Sequence, residues 1–579
     1  MPTPGVLLPT GSGSEHQGCP TDGRLYEQLA ATGYDGHESS ILMTRLLFLL
    51  FGDDTGMWEK SLFTEFVETR TQPDGSDLGA QLAMLFQVLD RPLARRSSAT
   101  DELIARFPYV NGGLFETRID IPSFDTDMRT ELLSCCDFDW GAISPAIFGS
   151  LFQAVKSRED RRELGEHYTT ERAIMRLIGP LFLDDLCAQF EAAKSSPIRL
   201  RRLRESLGQL RFLDPACGCG NFLVVAYREL RQLELDIMVR LQRLSGDTAL
   251  TLDATLDLQV SLDQFYGIEL EEWPAKIAET AMFLVDHQAN QALEESFGQA
   301  PERLPIEITA TIHHSNALRT PWSDVLTPSD NVIVLGNPPF VGSRLASTAQ
   351  KEDQAVVWAG NSRHGTLDFV TNWFKLAAEY AEGTQARVGF VSTNSITQGE
   401  QPAVLWTELW QHGMHIDFAH RTFAWASEAA NAAAVHVVII GFSGRPKPAK
   451  LSLWEYPDTK ADGLVARVGN INPYLVDAPD AAVGSRQTPV TPDIPEMRFG
   501  SMPRDGGHLS NISAHEAATI RATDPIAAKY LKKIIGAREL IHGDERWCLW
   551  LVDAAPSDVA SSPVLRDRIG KVRTMRQRS

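Results

Sequence analysis

Two hydrophobic rhythms divide the chain. From residue 24 to about 160, apolar positions recur every three or four residues, as in "DGRLYEQLAATG", "DLGAQLAMLFQVLD" and "TDELIARF", with Gly- or Pro-containing breaks between them. That spacing predicts a helical domain. "SSILMTRLLFLLFG" belongs to the same set: Arg45 interrupts it, so it reads as a buried helix and falls short of the roughly 18 apolar residues that a membrane span needs. Beyond residue 160 short apolar runs take over, namely "RFLDPA", "QFYGIEL", "ITATIHH", "NVIVLGN", "ARVGFVSTN", "HIDFAHRTF" and "AVHVVIIGF", with helical stretches between. Strand and helix in alternation predict an α/β fold, a parallel, doubly wound sheet covered on both faces. After Phe442 the prolines crowd together and predict a linker, and 500–579 reads as partly helical, ending on Arg566, Arg568, Lys571, Arg573, Arg576 and Arg578. The expected organisation is a disordered leader (1–23), a helical domain (24–160), an α/β domain (161–445), and a linker with a last domain (446–579).

Composition narrows the picture. A chain of 579 residues with 43% hydrophobic and 22% charged residues is that of a soluble protein of two to four domains. Its start, "MPTPGVLLPTGSGSEHQG", lacks the basic residues of a secretory signal. Seven cysteines in no regular framework, two adjacent at Cys135 and Cys136, fit a reducing cytoplasm. Cys217 and Cys219 form one tight pair, but no second pair stands at zinc spacing from them, so no metal is expected. The net charge of -20 argues against nucleic acid unless the basic residues gather on one face.

The chemistry lies at the strand ends. In "FLDPACGCGNFLVVAYREL", small residues at Ala216, Gly218 and Gly220 allow a tight turn between a strand ending at Asp214 and a helix beginning near Phe222. A ligand would lie over such a turn, beside the helix N-terminus. Asp214 would meet an amino group, whereas a pyrophosphate would prefer bare N–H donors; this points to S-adenosylmethionine rather than a dinucleotide. Glu269 closes the next strand, where a carboxylate can accept both ribose hydroxyls. Asn316 and Ala317, after the third strand, are placed to meet the adenine ring. After the fourth strand, Asn337-Pro338-Pro339-Phe340 fixes a side-chain amide oxygen and the Pro338 carbonyl, because the proline rings restrict the backbone on either side. Two such acceptors can take the N–H groups of a planar amine and direct its lone pair toward a methyl donor. Phe340 would stack on the target base, which must leave its duplex to reach the corner.

This order of motifs resembles the gamma-type amino-methylating DNA methyltransferases. More narrowly, "RRELGEHYTTERAIMRLIGPLFLD", "VSTNSITQGEQ" and "FAHRTFAWASEAANAAAVHVVIIGF" are similar to the MmeI-like adenine-N6 methyltransferases, over residues 24 to 579. The resemblance implies a Rossmann-like methyltransferase core using S-adenosylmethionine, with a helical spacer and a partial target-recognition domain. It places Gly165, His167, Tyr168 and Thr169 at the methionine end of the donor, although Thr169 and Thr170 also read as a helix cap. It sets Phe423 or Trp425 as the second aromatic against the flipped base. Double-stranded DNA is the implied partner, along with other subunits of a bacterial defence system. About 23 residues precede the helical region, so the family's nuclease domain, and DNA cleavage, are not expected. The alternatives are an amino-methylase of a protein glutamine or an RNA base, and a donor-binding assembly subunit with little activity of its own.

Overall fold

The computed structural model describes residues 22–578 apart from 35, 111–112, 121, 143–169, 246–257, 302–308, 426–434, 460–461, 487, 490, 497–499 and 501–502. The chain divides into two compact units, Met1–Ser485 and Arg486–Ser579.

A nine-stranded sheet organises the first unit: β1 (Arg211–Asp214), β2 (Phe265–Glu269), β3 (Thr311–His314), β4 (Val332–Gly336), β5 (Arg387–Thr393), β6 (His415–Trp425), β7 (Val435–Ser443), β8 (Leu451–Glu455) and β9 (Leu464–Val468). Their spatial order is β3-β2-β1-β4-β5-β7-β6-β8-β9. β1 to β5 pair in parallel, and β4 is buried along its whole length, as expected of a strand covered on both faces. The expectation of a purely parallel sheet needs correction, because β7 runs antiparallel between β5 and β6. Nor does the sheet end near residue 445. β8 and β9 extend it beyond that point, as short edge strands with exposed positions that give little apolar signal in a proline-rich stretch.

Ahead of the sheet lies the helical region, built around the buried helix Gly36–Asp54. Arg45 is only 1% exposed, yet it is well satisfied: Nε donates to the Leu114 carbonyl at 2.8 Å, Nη2 to that of Thr117 at 2.5 Å, and the guanidinium lies over Phe86 and Phe115. One charge in an apolar run is therefore compatible with burial. The helix Glu272–Phe297 joins this region to the sheet. Ala278, Ala281, Met282 and Val285 enter the core over β1 and β2, while Phe283 and Leu284 enter the core of the helical region. His287 and Gln291 also reach the Thr55 carbonyl at 2.8 and 2.6 Å. Facing it, the helix Asn221–Ser245 is tied on by a buried ion pair between Arg231 and Asp286.

The second unit holds a small antiparallel sheet in the order β10 (Ile512–Ser513), β12 (Arg546–Leu549), β11 (Leu531–Ile534). Ile512, Ile520, Leu549 and Leu565 share its core with the C-terminal helix Pro563–Arg578. No helix among the described residues is long and apolar enough to cross a membrane.

Candidate active site at the strand ends

β1 lies between β2 and β4, so the turn after β1 and the corner after β4 leave neighbouring strand ends at the point where the strand order reverses. Crevices of doubly wound sheets open there. Asp214 fills the space between the two strand ends. Its carboxylate is buried, and a Cβ on Gly336, the residue just before Asn337, would fall 2.5 Å from its Oδ1. Glycine at 336 is what allows the two loops to approach each other.

The glycines of the turn have separate tasks. Gly218, at φ +54, faces open space, so the turn leaves room above it. Gly220, at φ +83, brings the turn against the helix Glu272–Phe297, where a Cβ would meet that of Ala278 at 3.0 Å. Glu269 braces the loop from β2: its Oε2 accepts the Gly218 N–H at 2.9 Å and its Oε1 the Glu271 N–H at 3.0 Å. The indole N–H of Trp373 donates to the Pro215 carbonyl at 3.0 Å and holds the turn from the other side.

Two shielded acceptors at this turn, Asp214 Oδ2 and Asn221 Oδ1, meet no donor among the described residues. Asp214 Oδ1 accepts, among the described residues, only the Ala216 N–H, at 3.0 Å. Burial pushes the Asp214 carboxyl up to about 8; the Ala216 bond opposes the shift and the charge on Glu269 adds to it. Acceptors without donors beside a roomy glycine turn suit a ligand rich in N–H and O–H groups, as S-adenosylmethionine is. The residues present therefore fit that donor. Cys217 is packing: its Sγ lies beneath Gly267, where a Cβ would meet it at 2.7 Å, and burial raises its thiol well above the ordinary range, with Asp214 and Glu269 adding to the effect.

The other expected residues fall in different places. Asn337, Pro339 and Phe340 are half-buried and Pro338 is buried; Phe340 packs against both cores of the first unit. Phe222 and Ala317 are buried and Ala216 half-buried in those cores. Asn316 is committed to its surroundings: its Oδ1 accepts the Leu318 N–H at 2.9 Å and its Nδ2 donates to Asp353 at 3.0 Å. Phe423 is 1% exposed, stacked on Tyr456 at 4.9 Å and lying beneath the Arg176 guanidinium. Trp425 ends β6, and its side chain lies outside the described residues. Gly165, His167, Tyr168 and Thr169 lie outside them too. The helix Glu171–Ile178 begins directly after; Thr170 occupies its N-cap position without a side-chain capping bond. Arg228, on the helix that leaves the glycine turn, pairs with Glu171 at 2.5 Å and so ties the start of that helix to the donor side of the site. Trp373, Asp353 and Arg228 had no motif to mark them in the sequence, whereas Gly336 stood in plain view beside Asn337.

A doubly wound sheet with a reversed β7, a glycine turn after β1 and an acid after β2 defines the Rossmann-like fold of S-adenosylmethionine-dependent methyltransferases. Family models agree segment by segment: the MmeI helicase spacer domain matches 37–115, the MmeI DNA-methyltransferase domain 190–455, and the MmeI target recognition domain 477–579. The chain belongs to the MmeI family. It is similar to a solved structure of the type IIL restriction-modification enzyme MmeI in complex with DNA, with 43% identity and a TM-score of 0.87 over 96% of this chain and 74% of that one. DNA methyltransferase A of Bacillus subtilis is 38% identical over 543 residues, 93% of this chain. The chain spans 60% of that relative's length. Adenine-specific methyltransferase PglX of Streptomyces coelicolor is 22% identical over 221 residues, 33% of this chain and 17% of the relative.

Proposed function

We propose that this protein transfers a methyl group from S-adenosylmethionine to the N6 amino group of adenine in double-stranded DNA, in the cytoplasm, as the modification arm of a bacterial restriction-modification or phage-defence system. The observation that carries this reading is the packing of Gly336 on Asp214, which brings Asn337-Pro338-Pro339-Phe340 beside the glycine turn. Family membership and the adenine-specific relative support the choice of base.

Bound at the turn, the donor would supply an electrophilic methyl group on a sulfonium. Glu269 would hold the ribose hydroxyls, and the acceptors of Asp214 and Asn221 would take N–H and O–H groups. At the corner, the Asn337 side-chain oxygen and the Pro338 carbonyl accept the two N–H groups of the target amine, localising its lone pair for in-line attack; Phe340 stacks on the ring. The N–C bond would form as the donor's S–C bond breaks, and the amine would then lose one proton to solvent. The binding of Asn316 to Leu318 and Asp353 argues for a backbone contact to the adenine at that strand end.

Labelled donor is incubated with the chain and, separately, with duplex DNA, RNA and a glutamine-bearing peptide. Label is expected in DNA as N6-methyladenine, and Asn337→Ala should lower its rate by about 10²–10³ with the melting temperature unchanged, as when an active-site electrostatic contact is lost. Label in RNA or in the peptide, or an Asn337→Ala rate equal to wild type, would defeat the reading.

A further inference from the structure

We propose that a groove along the C-terminal helix of the second unit seats the phosphodiester backbone of duplex DNA. The inference rests on DNA as the substrate. Charge is the first ground. Residues 486–579 carry 15 Lys and Arg against 11 Asp and Glu, whereas residues 1–485 carry 40 against 64, so the acidic total conceals a basic second unit. Shape is the second. A groove of about 760 Å³ runs beside the helix Pro563–Arg578, lined by His508, Arg566, Asp567, Gly570, Lys571, Thr574 and Met575.

The helix presents this lining in register. Arg566 and Thr574 stand four residues before and after Gly570, on one face, with the exposed Arg573 next to them. Neither Arg566 nor Arg573 makes an ion pair among the described residues, although Lys571 is shared with Asp567 at 2.7 Å. Gly570 sits inside a helix, where glycine costs about 1 kcal/mol relative to alanine, yet among the described residues nothing beyond the helix's own backbone lies within 4 Å of where its Cβ would be. Helix packing gives no reason for a glycine there. A backbone brought close to the helix surface between two arginines does. The platform is fixed: Arg568 bonds Glu516 and the His508 carbonyl, and Asp524 accepts from Ser562 at 2.5 Å just before the helix begins. Cations spaced along one helical face, with Met575 the one apolar side chain in the groove's lining, suit evenly charged phosphates better than an acidic peptide.

The test uses the full chain and fluorescent duplexes of two unrelated sequences, titrated over a salt series. Arg566→Ala with Arg573→Ala should weaken both duplexes alike and reduce the slope of log affinity against log salt by about 2, one per lost phosphate contact. Gly570→Leu should melt no lower than wild type, since leucine favours the helix and the space is open, while binding at least tenfold more weakly. Unchanged affinity and slope in both variants, or no binding of either duplex by wild type, would overturn the proposal. Groove-dependent binding by a wild-type chain that transfers no methyl group to either duplex would refute the catalytic reading and leave this one standing.

Discussion

Two carboxylates, each 1% exposed, meet opposite fates in the first unit. Asp286 lies between two long helices with its requirements met: Oδ1 accepts from Arg231 at 2.8 Å and from the Tyr227 hydroxyl at 2.5 Å, and Oδ2 accepts from Asn290 at 3.2 Å. Arg231 is satisfied in turn by the Tyr227 hydroxyl and by Asn290, at 2.8 and 2.9 Å. Asp214, equally deep, has one N–H among the described residues. A closed network holds structure together and invites nothing in; an open one, at the edge of a crevice, retains capacity for a ligand. The contrast separates architecture from chemistry without reference to any motif.

Disturbing each side tests the contrast. Asp286→Ala leaves Arg231 buried without its anion and should cost about 3–5 kcal/mol in urea unfolding, whereas Arg231→Met with Asp286→Leu should recover most of it, because apolar replacement of a buried pair is close to neutral. A smaller effect, about 1–3 kcal/mol, is expected of Gly336→Ala, whose methyl group would press on Asp214 Oδ1. Differential scanning should show the loss, and pairing it with Asp214→Ala should relieve only the part due to the clash, because at φ +155 the backbone of residue 336 strains any side chain. The third test, Asp214→Asn, differs in kind because its effect depends on pH. With its pKa raised to about 8 in the folded chain, against about 4 for an exposed aspartate, Asp214 keeps its proton when folded and loses it when unfolded. Its contribution is therefore fully present below about pH 4 and declines as pH rises through 8. Relative to wild type, the Asn variant should gain stability from about pH 4 upward and level off above 8; a flat difference in melting temperature across that range would show that Asp214 is ionised in the fold.

The seven runs read as strands are all strands, and the glycine turn, Glu269 and the Asn-Pro-Pro-Phe corner do meet along one sheet edge, because in a parallel sheet the position of a strand end fixes where its loop emerges. Strand direction was less legible. β7 reads like its parallel neighbours, since burial on both faces produces the same apolar run in either direction. Edge strands β8 and β9 were hidden by their exposed positions. Side-chain partnerships were not legible at all: nothing in "SNAL" tells that Asn316 is held by Asp353, 37 residues on, and nothing in "FAW" tells that Phe423 is covered by Tyr456 and Arg176. Such contacts depend on how distant segments meet, and local periodicity carries no record of that.

The helix Glu272–Phe297 belongs to two cores at once. Severing the chain between the N-terminal helices and the catalytic sheet would strip Phe283 and Leu284 of their cover and expose the greasy flank of the segment that also buttresses Gly220. Separate expression of the two pieces should thus yield aggregates rather than a minimal enzyme, and heating should melt both together.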